Sequence, residues 1–244
     1  MKLNKKNIYI AHRGLHDKNI PENSMAAFER AIKYGYAIEL DVQKTSDNQL
    51  VIFHDESLYR MCGVKKKITE CTFTELDNLV LKGSSEGIPK LIDVLNLVQG
   101  AVPLLIEIKP EGDWKKTTTL LAKTMEKYHG EFWVESFHPL ALRLYRKLSP
   151  NTILGQLAND LFQAKNSHSF IEKFLLSNLL LNWLSKPDFV AYNYKYRKKI
   201  AFRICQKSKH MKTAAWTVKN QATLDVLKNE FDIFIFEGFM PKQQ

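Results

Sequence analysis

Short apolar runs rich in β-branched residues alternate with longer amphipathic stretches along most of the chain. The first run, NIYIAH, reads as a strand that stops on His12, Arg13 and Gly14. In PENSMAAFERAIKYG, Ser24 can cap a helix whose apolar residues Met25, Phe28 and Ile32 recur at helical spacing, and Gly35 can close it. AIELDV is a second strand. LVIF is a further strand, or an extension of the second, and it ends on His54 and Asp55. Residues 55–89 read as an excursion with a basic turn at 65–67, a short helix near 72–79 and a Gly/Ser loop. KLIDVLNLVQG then sets Leu91, Val94, Leu95 and Val98 on one helix face, closed by Gly100.

From there strand and helix alternate. Strands are predicted at VPLLIEIK, EFWVES, TILGQL, DFVAYN, KTAAWTV and DIFIF, and helices at 114–128, 139–148, 167–184, 196–208 and 222–229. Apolar strands separated by helices indicate a parallel sheet of the α/β class. With LVIF set aside the strands number eight, which predicts a single (β/α)8 TIM barrel over residues 1–244 with its active residues at the C-terminal strand ends. A doubly wound open sheet is the second choice, but no Gly-rich phosphate loop follows the first strand.

Charged residues break this apolar pattern within the strands themselves. Glu39 and Asp41 are two apart on a strand and so share a face. Two such carboxylates repel unless a cation or a proton lies between them. LLIEIKP supplies a third, Glu107, with Lys109 two residues on. Glu39, Asp41 and Glu107 form an oxygen cradle suited to a divalent cation, Mg²⁺ or Ca²⁺. Arg13 and Lys109 suit an anion; an ordinary salt bridge from Lys109 to Glu107 is the second choice for that residue. His12 and His54, each closing a strand beside the cluster, suit proton transfer. Phosphoryl chemistry accounts for this inventory better than any other reaction class.

Composition narrows the picture further. Hydrophobic residues at 45% of 244 are enough for a packed core. A net charge of +10 could draw nucleic acid, anionic lipid or a phosphorylated substrate. No nucleic-acid-binding motif accompanies the charge, so the Lys clusters at 65–67 and 198–199 are taken as solvated faces. Three scattered cysteines argue for reduced thiols. The apolar run of MKLNKKNIYI reaches HRG too soon to hold a signal-peptide core, so a cytoplasmic location is expected.

HRG, PEN, IELDV, VIFHD and EIK occur in this order, followed by VESFHPLALR and AAWTV. In these elements the chain resembles the glycerophosphodiester phosphodiesterases over most of its length. The resemblance implies a barrel of the phospholipase C-like phosphodiesterase type. It also implies metal-dependent hydrolysis of a small glycerophosphodiester to sn-glycerol 3-phosphate and an alcohol, with His12 and His54 as acid and base. By the same likeness Trp216 walls the substrate carbons, against a plain core role, and Asn23 orients a ligand, against a plain turn role. His138 in SFHP either lines the mouth or caps the helix that starts at Pro139. The sequence departs from the family pattern at Lys219, where Asn usually follows WTV, and at Met61, Cys62 and Gly63, which replace a Thr-rich turn. FEGFMPKQQ replaces the usual final turn and helix, so the last barrel helix should be short or missing. Two other readings are a metal-free phosphatidylinositol-type phospholipase C and a non-catalytic barrel that serves as a binding module.

The most apolar segment is FLLSNLLLNWL, residues 174–184, too short to span a bilayer. On one helix, Leu175, Leu176, Leu179, Leu180, Trp183 and Leu184 would share a face. An ordinary barrel helix is the preferred reading. The alternative is weak peripheral contact with an anionic membrane, with Trp183 at the interface and Lys173 and Lys186 at the flanks.

Overall fold

The computed structural model describes residues 7–160, 177–208 and 211–242. Eight parallel strands close into a ring: β1 (Ile8–Ala11), β2 (Ala37–Lys44), β4 (Leu104–Ile108), β5 (Phe132–Ser136), β6 (Ile153–Ala158), β7 (Phe189–Asn193), β8 (Lys212–Val218) and β9 (Ile233–Phe236). Closure comes from β1, which pairs with β2 on one side and β9 on the other. β3 (Leu50–Ile52) lies antiparallel to β2 and outside the ring, so LVIF is the supernumerary strand. The fold is the predicted TIM barrel.

Strand alternation divides the apolar residues into two sets. Ile8, Ile10, Ala37, Leu105, Trp133, Phe189, Ala191, Ala214, Ile233 and Ile235 pack together as the barrel filling. The alternate residues, among them Ile38, Leu40, Ile106, Val134, Val190 and Phe234, pack outward beneath the helices. Those helices are α1 (Met25–Lys33), α4 (Leu91–Val98), α5 (Trp114–Met125), α6 (Pro139–Leu148), α8 (Ile200–Lys207) and α9 (Gln221–Leu227). Short helices α2 (Tyr59–Cys62) and α3 (Phe73–Leu76) belong to the 55–89 excursion, which has a small core of its own around Phe53, Leu58, Ile68, Leu76 and Ile88.

α1 shows how sequence sets a boundary. Ser24 Oγ accepts the Ala27 amide at 3.2 Å, which caps the helix, and Ala27, Phe28 and Ala31 are its buried residues. Gly14 lets this helix sit directly under the end of β1. It has φ +79°, and a Cβ there would come within 2.8 Å of Ala27 Cβ.

Two expectations about the second half change. Residues 161–176, and with them Lys173, Phe174, Leu175, Leu176 and most of the helix predicted at 167–184, lie outside the described residues. The described remainder is not a continuous helix. The chain turns through 178–181, with Leu179 left-handed at φ 57°, and a separate short helix α7 (Asn182–Ser185) follows. A left-handed residue breaks the helical repeat, so Leu179 and Trp183 do not share a face: Leu179 is buried, whereas Trp183 is 73% exposed. The helix predicted at 196–208 starts later, at Ile200, because Asn193 caps a 3₁₀ turn over Tyr194–Tyr196 instead.

After β9 no helix follows among the described residues, as expected. The chain from 237 to 242 lies against the barrel instead, with Phe239 edge-on to Phe236 at 5.7 Å and Tyr36 Oη donating to the Pro241 carbonyl at 2.8 Å. No described helix is long and apolar enough to cross a membrane.

Candidate active site

The strand ends gather the charged residues in one place. Continuing the inward alternation past the apolar filling, β1 leads to His12, β2 to Glu39 and Asp41, β4 to Glu107 and Lys109, and β9 to Glu237. A cavity of about 90 Å³ is lined by His12, Arg13, Glu39, His54, Glu107 and Glu135, with Trp216 and Phe137 on its apolar side.

Glu39, Asp41 and Glu107 are buried, and one carboxylate oxygen from each lies within 4.8 Å of the others. Burial, reinforced by Asp41 and Glu107, pushes Glu39 well above the usual carboxylate range. Burial also pushes Glu107 up to about 7, against the pull of Lys109. Asp41 goes the other way, because Lys109, His54 and Arg13 outweigh its burial and hold it ionised. A buried oxygen set that can be ionised only at this cost has the chemistry of a divalent-cation site, and the residues present fit one.

Lys109 takes the salt-bridge role in this arrangement. Its Nζ donates to Glu107 Oε1 at 2.9 Å and lies 3.3 Å from Asp41 Oδ1, so its ammonium neutralises the cradle from one side. Arg13 is similarly engaged. Its backbone is left-handed at φ 53°, its amide donates to Glu39 Oε2 at 2.8 Å, and its guanidinium reaches Glu22 at 2.8 Å and Asp41 at 3.5 Å. Asn23, also left-handed, donates Nδ2 to Asp41 Oδ2 at 2.7 Å, while its amide bonds the Arg13 carbonyl. It thus orients a carboxylate of the cradle and shapes the turn at once.

Each histidine is held by a carboxylate through Nδ1. His12 Nδ1 is 2.6 Å from Glu237 Oε2, which leaves Nε2 facing the cavity, 4.0 Å from Glu39. His54 Nδ1 is 2.7 Å from Asp55 Oδ1. Burial lowers the pKa of both imidazoles, and the carboxylate partners oppose that shift. The anions fix the tautomer, with Nδ1–H donating and Nε2 free to exchange a proton.

Several functional-looking residues were not singled out from sequence. Glu135, on the strand next to Glu107 and in register with it, is buried, has an oxygen without a hydrogen-bond partner and is pushed well up by burial and by Glu107. Its signal was a lone acid at an inward position of EFWVES. Glu237 in FEG is a second. Lys219, the departure from the family pattern, holds its Oε1 at 2.8 Å while Oε2 serves His12. Arg60 from α2 is the third. It bonds both Asp55 and Glu22, so a charged chain runs His54, Asp55, Arg60, Glu22, Arg13. Its place in the excursion gave no periodic signal.

The remaining site residues resolve as follows. Trp216 meets Phe137 edge-on, with centroids 5.7 Å apart, and forms the apolar side of the cavity. His138 does both things expected of it. Its Nδ1 accepts the Ala141 amide as the cap of α6, and it lines a larger adjoining cavity of about 370 Å³ with Glu111, Phe137 and Leu157.

A family profile described as the glycerophosphoryl diester phosphodiesterase family matches residues 12–233. A protein of Caldanaerobacter subterraneus subsp. tengcongensis named glycerophosphodiester phosphodiesterase is 34% identical over 164 residues, which cover 62% of this chain and 67% of that one. A human lysophospholipase D is 31% identical over 163 residues, or 61% of this chain and 51% of that one. The aligned stretch thus spans about half the length of the human relative and about two thirds of the bacterial one. Among solved structures, an Oleispira antarctica phosphodiesterase in complex with sn-glycerol-3-phosphate superimposes with a TM-score of 0.77 at 23% identity, covering 95% of this chain and 93% of that one. A Thermotoga maritima glycerophosphodiester phosphodiesterase does so at 0.72 and 24%, covering 94% and 93%. Likeness at this identity is likeness of fold. Because the profile runs from the end of β1 to the start of β9, the chain belongs to the glycerophosphoryl diester phosphodiesterase family.

Proposed function

We propose that the chain hydrolyses small glycerophosphodiesters to sn-glycerol 3-phosphate and an alcohol, with a divalent cation held by Glu39, Asp41 and Glu107. The observation that carries this reading is the meeting of that carboxylate group with two carboxylate-held histidines around one cavity. A bound Mg²⁺ or Ca²⁺ supplies positive charge for a phosphate oxygen and acidity for a hydroxyl.

The chain's own residues do the rest. His12 is kept neutral by burial, and the Glu237 bond holds its one proton on Nδ1, so Nε2 takes the proton of the attacking hydroxyl. In this reading the attacker is the neighbouring glycerol hydroxyl of the substrate, which gives a cyclic phosphate that water opens. His54, held by Asp55 through Nδ1, acts from its imidazolium form: Nε2 gives its proton to the leaving alcohol and takes one back from the water that opens the cyclic phosphate. Arg13 and Lys109 offset the charge that gathers on phosphorus, Lys109 by a partial exchange of its carboxylate partners for phosphate oxygen. Trp216 and Phe137 give the carbon skeleton an apolar wall. Weak contact with an anionic lipid surface belongs to the same proposal, through the exposed Trp183 beside Lys186.

The test is phosphodiester cleavage of glycerophosphocholine, followed by a coupled sn-glycerol 3-phosphate assay with added Mg²⁺ or Ca²⁺. Turnover that chelation removes, and that Glu39→Ala or Asp41→Ala abolishes, supports the reading. Full activity of either variant in chelator would sink the cation role, and activity on an inositol lipid in chelator would favour the metal-free phospholipase C. A wild-type chain inert with every glycerophosphodiester tried would leave a binding module.

A further inference from the structure

A second group of metal-ligating side chains stands beside the first. His12, at the end of β1, His16, four residues on in the same loop, and Glu237, at the end of the neighbouring β9, bring one ligand atom each within 4.8 Å of one another. We propose that these three residues form a separate site for a zinc-class cation, and that its occupation switches the enzyme off. The inhibition rests on the functional reading above; the binding does not.

Three observations support the site. His16 Nε2 is buried and has no hydrogen-bond partner. An imidazole nitrogen in that state is costly unless something accepts its lone pair or its proton, and a cation does the first. Glu237 already presents Oε2 to the group, because Lys219 holds its other oxygen. The donor set also differs from that of the carboxylate cradle. Two imidazoles and one carboxylate suit Zn²⁺ or Co²⁺, which accept nitrogen ligands and leave a fourth position to water, whereas Mg²⁺ and Ca²⁺ prefer the all-oxygen group.

Inhibition follows from which nitrogen of His12 the cation takes. Nδ1 faces Glu237 and Nε2 faces the cavity. In the working state the proton sits on Nδ1 and the lone pair on Nε2. A cation between His12 and Glu237 needs the Nδ1 lone pair, so the ring proton moves through water from Nδ1 to Nε2. The imidazole stays neutral and no proton is lost overall, but Nε2–H can no longer accept the substrate's proton. Glu237 exchanges a hydrogen bond for a metal bond.

The experiment uses the full chain in saturating Mg²⁺, so that the carboxylate cradle is filled. Co²⁺ is titrated in and followed by its visible d–d absorption, then displaced with Zn²⁺. One equivalent of Co²⁺ with a nitrogen–oxygen spectrum is expected, and His16→Ala loses it. In parallel, Zn²⁺ inhibits glycerophosphocholine cleavage by the wild type, whereas His16→Ala keeps its basal turnover and becomes at least tenfold less sensitive. If circular dichroism shows that His16→Ala fails to fold, His16→Gln takes its place. The proposal is overturned if the wild type gives no Co²⁺ spectrum. It is also overturned if both variants keep the wild-type spectrum or zinc sensitivity, or if a thiolate charge-transfer band puts the ion on Cys62 or Cys205. Should the wild type lack phosphodiesterase activity altogether, the functional reading falls, while the Co²⁺ spectrum still decides the site.

Discussion

His12 Nδ1 donates to Glu237 Oε2 across 2.6 Å, and Lys219 Nζ holds the other oxygen of that carboxylate at 2.8 Å. His12, the base in the proposed reaction, is therefore positioned by a carboxylate at the end of β9 and a lysine at the end of β8, each more than 200 residues away in sequence. Glu237→Gln keeps the shape and removes the charge. It should lower kcat by at least about tenfold with KM little changed, because Glu237 acts on the imidazole and not on substrate binding. A neighbouring anion raises the pKa of an imidazole. Its loss should move the acid limb of the kcat/KM profile to lower pH, and a limb that stays put or moves up would refute the positioning role. Lys219→Ala should act in the same direction but more weakly.

Arg60 joins the two halves of the site, since it bonds Asp55 behind His54 and Glu22 behind Arg13. The guanidinium is nearly half exposed, so its ion pairs contribute little to stability, within about 1 kcal/mol. Arg60→Ala should therefore leave the melting temperature almost unchanged while lowering kcat/KM about tenfold. Combined with Glu22→Gln, the losses should be less than additive, because both changes cut one chain of contacts. Strictly additive losses would show that the chain does not act as a unit.

What could be read from sequence followed period. A period of two located the strands and put Glu39 with Asp41, and Glu107 with Lys109, on one inward face, as the barrel has them. Capping chemistry located α1 and α6 at Ser24 and His138. Glu135 and Glu237 obey the same alternation, yet each is a single acid on a strand that shows nothing else, and only the closure of β9 on β1 brings Glu237 to His12. Arg60 sits in a non-periodic excursion, so its reach to Glu22 depends on how residues 55–89 fold back on their own core. The turn at Leu179 was hidden by composition. A leucine-rich segment reads as helix even with Ser177 and Asn178 in it, and a leucine is not a residue type that announces a left-handed backbone.

The carboxylate cradle makes a prediction about stability. Glu39, Glu107 and Glu135 are buried and shifted upward, Glu107 to about 7, so in this window the folded state holds protons that the unfolded state has released. Stability from a group raised in the fold is complete below its unfolded pKa, near 4.5, and is lost as pH rises through the folded value. The cradle's contribution to the melting temperature in chelator, read as wild type minus Glu39→Gln because the histidines lowered by burial slope the other way, should therefore fall as pH rises from 4.5 to 7 and beyond. Mg²⁺ or Ca²⁺ should reverse this. At about 100 times Kd a bound ligand adds about 2.7 kcal/mol, which is roughly 5–10 °C for a chain of this size. Glu39→Gln should raise the melting temperature of the chelated protein at pH 7 and shrink the cation shift. A shift of equal size in Glu39→Gln would place the cation elsewhere.

The barrel filling can be tested without reference to activity. Gly155 on β6 lies in register with Phe189 on β7, and the Phe189 ring sits over it where a side chain would otherwise project. A Cβ at Gly155 would come within 2.1 Å of that ring. The ring has no room to retreat, since it is fully buried and packs against Trp133 with centroids 5.7 Å apart. Overpacking of this kind costs about 1–3 kcal/mol, or roughly 2–12 °C in melting temperature. Gly155→Ala should be destabilised by that amount, even though alanine is otherwise the better strand residue. Phe189→Leu alone should also be destabilised, through the cavity it leaves. The double variant should be more stable than the two separate losses predict, because the new methyl fills space the ring vacated. Additive losses would mean that Gly155 and Phe189 do not share one site in the barrel interior.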